Sequence, residues 1–287
     1  MSVTPRNVLF TIPLPGTTGT SSSIAVDMGS DTRTMPPTGL RLDGRRAIVT
    51  GAARGIGAEI ARTFAAEGAH PVLLDIAADE VHALAKTLEC ESVVVDLADA
   101  HGTAEAISES IAILGGVDIL VNNAGVLKMA PILEMTIENW DLTFDINVRS
   151  MFVTTQVVGR VMRDQAAAGD PGGRIINMAS MGGKLGSPNQ AHYAASKSAV
   201  IAFTRVSAME FGCYGINVNC ICPGYVLTEM GAATRTPEMV AAWSAKSPLG
   251  RLAEPSDVAR MALFLASDEA SYCTGQAMNV SGGMVMH

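Results

Sequence analysis

The sequence predicts an α/β fold, in which one doubly wound parallel sheet is flanked by helices on both faces. Short apolar runs alternate with amphipathic helical stretches along most of the chain, which is the pattern of successive βαβ units. The 287 residues are 48% hydrophobic, enough for the core of one large domain. The predicted strands are RAIVT, PVLLD, SVVVD, DILVN, RIINM, INVNCI and QAMNV.

Residues 1–40 differ in composition from the rest of the chain. They are rich in Ser, Thr, Gly and Pro, and their apolar piece VLFTIPLP is short and interrupted by prolines. Such a piece makes a poor signal-peptide core, and the composition favours disorder. We expect 1–40 to be a disordered or weakly ordered extension and 41–287 to form a single folded domain. The alternatives are a true start at Met28 or Met35, and a targeting role.

The first predicted strand runs directly into a glycine-rich turn, TGAARGIG at 50–57, and then into a helical stretch. Gly51, Gly55 and Gly57 therefore lie between a strand and a helix. Glycines there let the backbone turn tightly and approach a pyrophosphate, which binds at the helix N-terminus. The spacing is GxxxGxG rather than GxGxxG, and no Gly-Lys-Ser/Thr follows. A plain loop is the alternative interpretation of this turn alone.

An acidic residue, Asp75, ends the second predicted strand, HPVLLD. A carboxylate at this point of a dinucleotide-binding unit bonds the adenosine ribose hydroxyls and repels a 2′-phosphate. Asp75, followed by Ile76 rather than a basic residue, predicts NAD as the cofactor, with NADP less favoured. Arg54, just before the second glycine, is of a residue type often seen in NADP-using members of the family that this sequence resembles, and it points the other way.

Tyr193 and Lys197 lie four residues apart in HYAASKSAV, and Ser180 ends the predicted strand IINMAS upstream. Residues i and i+4 of a helix share a face. An ammonium held beside a phenol favours the phenolate, so we expect Lys197 to lower the pKa of Tyr193. A tyrosine of lowered pKa can exchange protons at working pH, while Ser180 holds the substrate oxygen. The alternative is an ordinary Tyr and Lys on a surface helix.

Together these motifs resemble the short-chain dehydrogenase/reductase family, over residues 42 to 287. Further matches lie in the family's order: NNAG at 122–125, Asn147 in FDINV, and PGYVLT at 223–228. The resemblance implies a single-domain Rossmann-type fold and the catalytic residues Ser180, Tyr193, Lys197 and Asn147, with Asn147 holding a water. The cofactor-binding residues that it implies are Gly51, Arg54, Gly55, Ile56, Gly57, Asp75, Asp96, Leu97, Asn123, Ala124, Gly125, Tyr193, Lys197, Pro223, Gly224, Val226 and Thr228.

The function that follows is an NAD-dependent oxidoreductase that transfers a hydride between a nicotinamide cofactor and a secondary alcohol or ketone. The substrate is expected to be a polyol, a sugar or a cyclic alcohol. The alternatives are a 3-oxoacyl-thioester reductase that uses NADPH, and a binding or scaffold protein that has lost the chemistry. Substrate selection is expected from Met181–Gln190, from Leu127–Ile132, and from a lid over Val226–Trp243.

Composition constrains partners and location. The net charge of −8 argues against a nucleic-acid-binding face, and no apolar stretch is long enough to span a membrane. The five cysteines show no metal-ligand spacing, so no metal is expected and a reducing cytoplasm fits. Cys220 and Cys222 share one face of a predicted strand and are expected to be buried as small hydrophobes.

His192, beside the tyrosine, is expected to point elsewhere and to have no catalytic role.

A homotetramer is expected, with a dimer as the alternative. Trp140–Met162 and Tyr193–Phe211 both read as long helices with apolar residues on more than one face, and the second face must be buried somewhere. In the family these two helices pack against their symmetry mates. The apolar segment QAMNVSGGMVMH suits a second interface.

Overall fold

The computed structural model describes residues 39–170, 172–229 and 235–287, so almost all of the predicted extension lies outside the described residues. Its sheet has seven parallel strands in the order β3-β2-β1-β4-β5-β6-β7. The strands are β1 Arg46–Thr50, β2 His70–Asp75, β3 Glu91–Val94, β4 Ile119–Asn122, β5 Arg174–Met178, β6 Asn217–Pro223 and β7 Ala277–Val280. The helices are α1 Gly55–Ala66, α2 Ala78–Leu88, α3 Ala100–Leu114, α4 Ile137–Phe144, α5 Ser150–Ala167, α6 Gly182–Leu185, α7 Ala191–Phe211, α8 Pro237–Ser244 and α9 Pro255–Ala266.

Helices cover both faces of the sheet, which is why its central strands are apolar along their whole length. Successive side chains of a strand point to opposite faces. Val49 of β1 packs in one core with Phe64 of α1 and Leu263 of α9. Its neighbour Ile48 packs in the other core, with Ile107 of α3. The predicted doubly wound α/β fold is confirmed.

The strand order determines where a ligand can bind. The chain builds β1, β2 and β3 outward in one direction, then returns to place β4 on the other side of β1. The helical connections diverge at this reversal and leave a crevice at the carboxyl ends of the strands, where open parallel sheets bind ligands. The residues that follow β1, β4, β5 and β6 all meet at this edge.

The predicted helix over Trp140–Met162 is interrupted. α4 ends at Phe144, a π-helical turn covers Asp145–Arg149, and α5 begins at Ser150. The turn contains Asn147, which is fully buried. Its side chain bonds a neighbouring loop, and a π-turn is a frequent device for presenting such a residue. Apolar periodicity carries no signal for this break.

Candidate active site

The glycine-rich turn adopts a conformation that glycine favours. Gly51 and Gly55 have φ angles of +63° and +58°, in the left-handed region. A Cβ on Gly57 would collide with the carbonyl oxygen of Gly51. Arg54, the residue before α1, makes no side-chain cap hydrogen bond. An arginine side chain has no acceptor for the first-turn N–H groups of this helix, so the fit to a pyrophosphate rests on the glycines, which bring the backbone close at the start of α1.

The end of β4 braces this turn. Asn123 donates from Nδ2 to the carbonyl oxygens of Thr50 (3.1 Å) and Gly51 (2.9 Å). The Thr50 hydroxyl accepts from the main-chain N–H groups of Asn123 and Ala124. Asn122 points inward and bonds Thr155 and Asn177. Asn123 thus braces the edge of the sheet beside the glycine turn, whereas Asn122 ties β4 to β5 and α5.

The acidic residues predicted for the adenosine end lie at the same edge. The Asp75 carboxylate accepts from the N–H groups of Ala53 (2.9 Å) and Ala77 (3.0 Å), so it is held against the glycine turn. Asp96 follows the neighbouring strand β3 and is exposed, while Leu97 is buried. This edge therefore presents fixed carboxylates beside an anion-binding turn.

The side chains of Ser180 and Tyr193 both lie next to Gly182 of the short helix α6. The Gly182 N–H donates to Ser180 Oγ at 3.0 Å. A Cβ on Gly182 would lie 3.4 Å from Ser180 Oγ and 3.5 Å from Tyr193 Cε1. Burial raises the pKa of Tyr193, and the hydrogen bond with the Ser180 side chain acts against that rise. The hydroxyls of a serine and a protonated tyrosine thus lie in one pocket.

Lys197 is buried one helical turn beyond Tyr193 and points beneath it. Its Nζ donates to the Met178 carbonyl oxygen at 2.7 Å and lies 5.7 Å from the centroid of the Tyr193 ring. Burial lowers the pKa of Lys197 to about 8. The predicted lowering of the Tyr193 pKa is therefore wrong in this structure: the pKa is raised, because burial outweighs the hydrogen bond with Ser180.

Asn147 is placed beside Lys197 by hydrogen bonds to the loop after β4. Its Oδ1 accepts from the Val126 N–H at 2.8 Å, and its Nδ2 donates to the Val126 carbonyl and to Ser196 Oγ. A Cβ on Gly125 would lie 3.2 Å from Asn147 Oδ1 and 3.3 Å from Lys197 Nζ. The side chain of Asn147 thus joins the loop after β4 to α7.

The segment after β6 lies over the glycine turn. A Cβ on Gly55 would lie 3.4 Å from Thr228 Cγ2. Arg235 donates to the carbonyl oxygens of Val226 (3.3 Å) and Thr228 (3.4 Å). The rings of Tyr225 and Trp243 stack with centroids 4.5 Å apart, so α8 is attached to this segment.

Sequence reasoning missed the contacts of Arg235 and the Tyr225–Trp243 stack, both of which involve the stretch expected to form a lid. No motif signals either contact, because each joins residues that only the fold brings together. Met230, predicted to lie in the lid, is outside the described residues. Among the residues that the structure describes, no group of His, Cys, Asp and Glu could hold a metal ion. Cys220 and Cys222 are fully buried, as predicted.

Comparison with known proteins identifies the class of this site. The family model described as Enoyl-(Acyl carrier protein) reductase matches residues 51–285. A galactitol 2-dehydrogenase (L-tagatose-forming) from Cereibacter sphaeroides is 41% identical over 85% of this chain and 96% of its own. The 3-oxoacyl-[acyl-carrier-protein] reductase FabG of Thermotoga maritima is 36% identical over 86% and 100%. The structure of a putative NAD(P) dependent gluconate 5-dehydrogenase from Beutenbergia cavernae, with bound NADP, superposes with a TM-score of 0.80 at 40% identity, covering 85% of this chain and 98% of that one.

Fold, site and relatives define an NAD(P)-linked oxidoreductase that acts on alcohol groups. The chain belongs to the short-chain dehydrogenase/reductase family. In the part of the chain that the structure describes, no helix is long and apolar enough to cross a bilayer.

Proposed function

We propose that the chain is an NAD-dependent dehydrogenase of secondary alcohols of the polyol and sugar class, with Ser180, Tyr193, Lys197 and Asn147 at its catalytic centre. One observation carries this proposal: Ser180, Tyr193 and Lys197 converge at the carboxyl edge of the sheet, beside the glycine turn. The galactitol 2-dehydrogenase, at 41% identity, supports a polyhydroxylated substrate.

Each side chain has a distinct part in the reaction. The nicotinamide cofactor, when bound, accepts or supplies the hydride. The Ser180 hydroxyl donates to the substrate oxygen, and Tyr193 removes the proton of an alcohol or protonates a ketone. Its raised pKa favours the protonated form, which suits ketone reduction, and the charge of Lys197 favours the phenolate that alcohol oxidation requires. Asn147 holds the loop after β4 in place and orders a water beside Lys197.

The dinucleotide is held by the residues named from the sequence. When the cofactor binds, the start of α1 would take the pyrophosphate, Asp75 would take the ribose hydroxyls, and Pro223–Thr228 would cover the nicotinamide end. NAD is favoured because Asp75 is fixed at the position where a 2′-phosphate would meet like charge. Arg54, and the NADP found with the relative from Beutenbergia cavernae, favour the phosphorylated cofactor.

A panel of polyols, sugar acids and cyclic alcohols, scored by NADH absorbance with both cofactors, tests the assignment. We expect the highest kcat/KM with NAD and a polyol. Asp75→Ala should shift the cofactor ratio toward NADP, while the control Asp79→Ala, on α2, should leave it unchanged. A wild-type preference for NADP would contradict the cofactor assignment.

A second candidate is a 3-oxoacyl-thioester reductase that uses NADPH, which the 36% identity to FabG supports. Activity on a 3-oxoacyl thioester with NADPH, together with no activity on polyols, would favour this candidate over the first. A binding or scaffold protein is disfavoured, because the complete set of catalytic side chains is kept in one place.

We also propose a cytoplasmic homotetramer. Phe152 of α5 is 48% exposed, and Val206 and Met209 of α7 are 49% and 75% exposed. Phe152 also contacts Phe203 of α7 edge to face, which makes one continuous apolar surface from the two helices. Near the end of the sequence Met286 is 80% exposed and suits a second interface. A monomeric mass by light scattering at micromolar concentration would contradict the tetramer.

A further inference from the structure

His192 is a buried polar side chain to which the proposed mechanism gives no part. It lies in the first turn of α7, directly before Tyr193, and is 0% exposed. Neither ring nitrogen makes a hydrogen bond of good geometry. Buried polar groups are nearly always hydrogen-bonded, so an imidazole kept in this position calls for a partner.

The main chain of Lys128, in the loop that follows β4, lies near the His192 ring. Burial lowers the pKa of His192, and the main chain of Lys128 acts in the opposite direction, which is the effect of a nearby carbonyl oxygen on an imidazole N–H. The imidazole is therefore neutral at neutral pH and has one N–H to donate. Ser196 lies one turn further along the same face of α7. Its hydroxyl oxygen accepts a hydrogen bond from the Asn147 side chain.

The loop is already fastened to this region on either side of Lys128. Val126 exchanges two hydrogen bonds with the Asn147 side chain. The Ala130 N–H donates to the Asn189 carbonyl at 3.0 Å, just before α7 begins. Lys128 is the middle one of the three residues between these attachments. The stretch 127–132 is the one predicted to select the substrate.

We propose that His192 is a positioning residue whose imidazole N–H holds the Lys128 carbonyl and so fixes the loop 126–130 against the bound alcohol. This proposal rests on the proposed dehydrogenase function. A loop held at three points presents its side chains to the substrate in one arrangement, and a loop held at two does not. The contribution falls on alcohol binding, because the cofactor-binding residues of this loop, Asn123, Ala124 and Gly125, precede 126–130, and two of them are held separately by the Thr50 hydroxyl.

The test compares H192F, which keeps a ring and loses the donor, with H192Q, which keeps a donor. We expect H192F to raise the KM for the alcohol about tenfold and leave the KM for NAD unchanged, since one hydrogen bond is worth up to that factor. H192Q should restore most of the loss. The matched control is S110A, because Ser110 is also buried on a helix and its hydroxyl donates to the Ala106 carbonyl within α3. It should leave both KM values unchanged.

Main-chain hydrogen exchange on the full chain gives a readout that needs no turnover. In H192F the amides at 126–130 should exchange faster, while the rest of α7 stays protected. Unchanged exchange at 126–130, or exchange raised equally along α7, would overturn the proposal even if no alcohol is oxidised. If H192F does not fold, 15N NMR of the wild-type ring decides: a neutral ring with one protected N–H supports the proposal, and two solvent-exchanging nitrogens overturn it.

Discussion

Tyr193 and Lys197 lie in surroundings that disfavour charge on both side chains. Burial raises the pKa of the tyrosine and lowers that of the lysine to about 8. Keeping either side chain charged in these surroundings lowers the free energy of unfolding. Strongly perturbed pKa values of this kind are typical of sites that transfer protons. The two side chains therefore affect both the rate of the reaction and the stability of the fold.

Tyr193→Phe should fold and bind NADH normally, yet lower kcat by a factor on the order of 10²–10⁴, because a positioned acid or base contributes that much. The matched control is Tyr272→Phe, since Tyr272 is fully exposed and lies outside the site. Steady-state kinetics with NADH-binding fluorescence checks both variants. Near wild-type turnover in Tyr193→Phe would reject the proposed mechanism.

Lys197→Met should abolish activity and raise the melting temperature at neutral pH. A lysine whose pKa falls to about 8 on folding destabilises the folded state at pH 7 by an amount on the order of 3 kcal/mol. Below pH 8 the lysine is charged in both the folded and the unfolded chain, so the full penalty applies. As the pH rises from 8 toward the pKa of the unfolded chain, the unfolded chain binds more protons than the folded one, and the penalty is relieved. Urea unfolding at pH 7 and pH 10 should therefore show the gain of the variant shrinking at the higher pH. A constant gain would contradict the assigned cause.

At the scale of elements, the short helix α6 fixes the distance between Ser180 and Tyr193. Gly183 of α6 approaches the backbone of α7 so closely that a Cβ would lie 2.7 Å from the Lys197 carbonyl carbon. The Ser198 hydroxyl also donates to the Gly183 carbonyl at 2.6 Å. Any side chain at this position must push α6 away from α7 and separate the two hydroxyls.

Gly183→Ala should therefore reduce kcat/KM at least tenfold, because small displacements of catalytic groups are costly. The control is Gly212→Ala, where φ is −57° and no atom lies within 4 Å of the new Cβ. That change should leave activity intact and stabilise the protein slightly, by roughly 0.4–1 kcal/mol. Comparable activity of the two variants would show that the α6–α7 contact is not needed.

Among these elements, some features could be predicted from the sequence and others could not. The strands and the glycine turn were predictable because apolar runs and glycines carry local signals. The π-turn at Asn147 was not, since it depends on hydrogen bonds to Val126, far along the chain. The direction of the Tyr193 pKa was also missed, because i,i+4 spacing reports proximity to a lysine and says nothing about burial.

At the scale of the whole molecule, the first residues of the chain differ in composition from the part that the structure describes. Deleting residues 1–38 should leave the melting temperature and kcat/KM nearly unchanged, because their composition provides too little apolar surface to offset the entropy of ordering them. Thermal unfolding and kinetics of the shortened chain check this. A large loss in either quantity would show that the segment completes the domain or the site.

The stack of Tyr225 on Trp243 has a consequence for observing the molecule at work. The sequence contains two tryptophans, and the other, Trp140, stacks on Phe144 within α4. Replacing Trp140 with Phe would leave one indole, Trp243 on α8. Its emission would then follow the separation of α8 from Tyr225, and the expected lid would carry an intrinsic optical reporter.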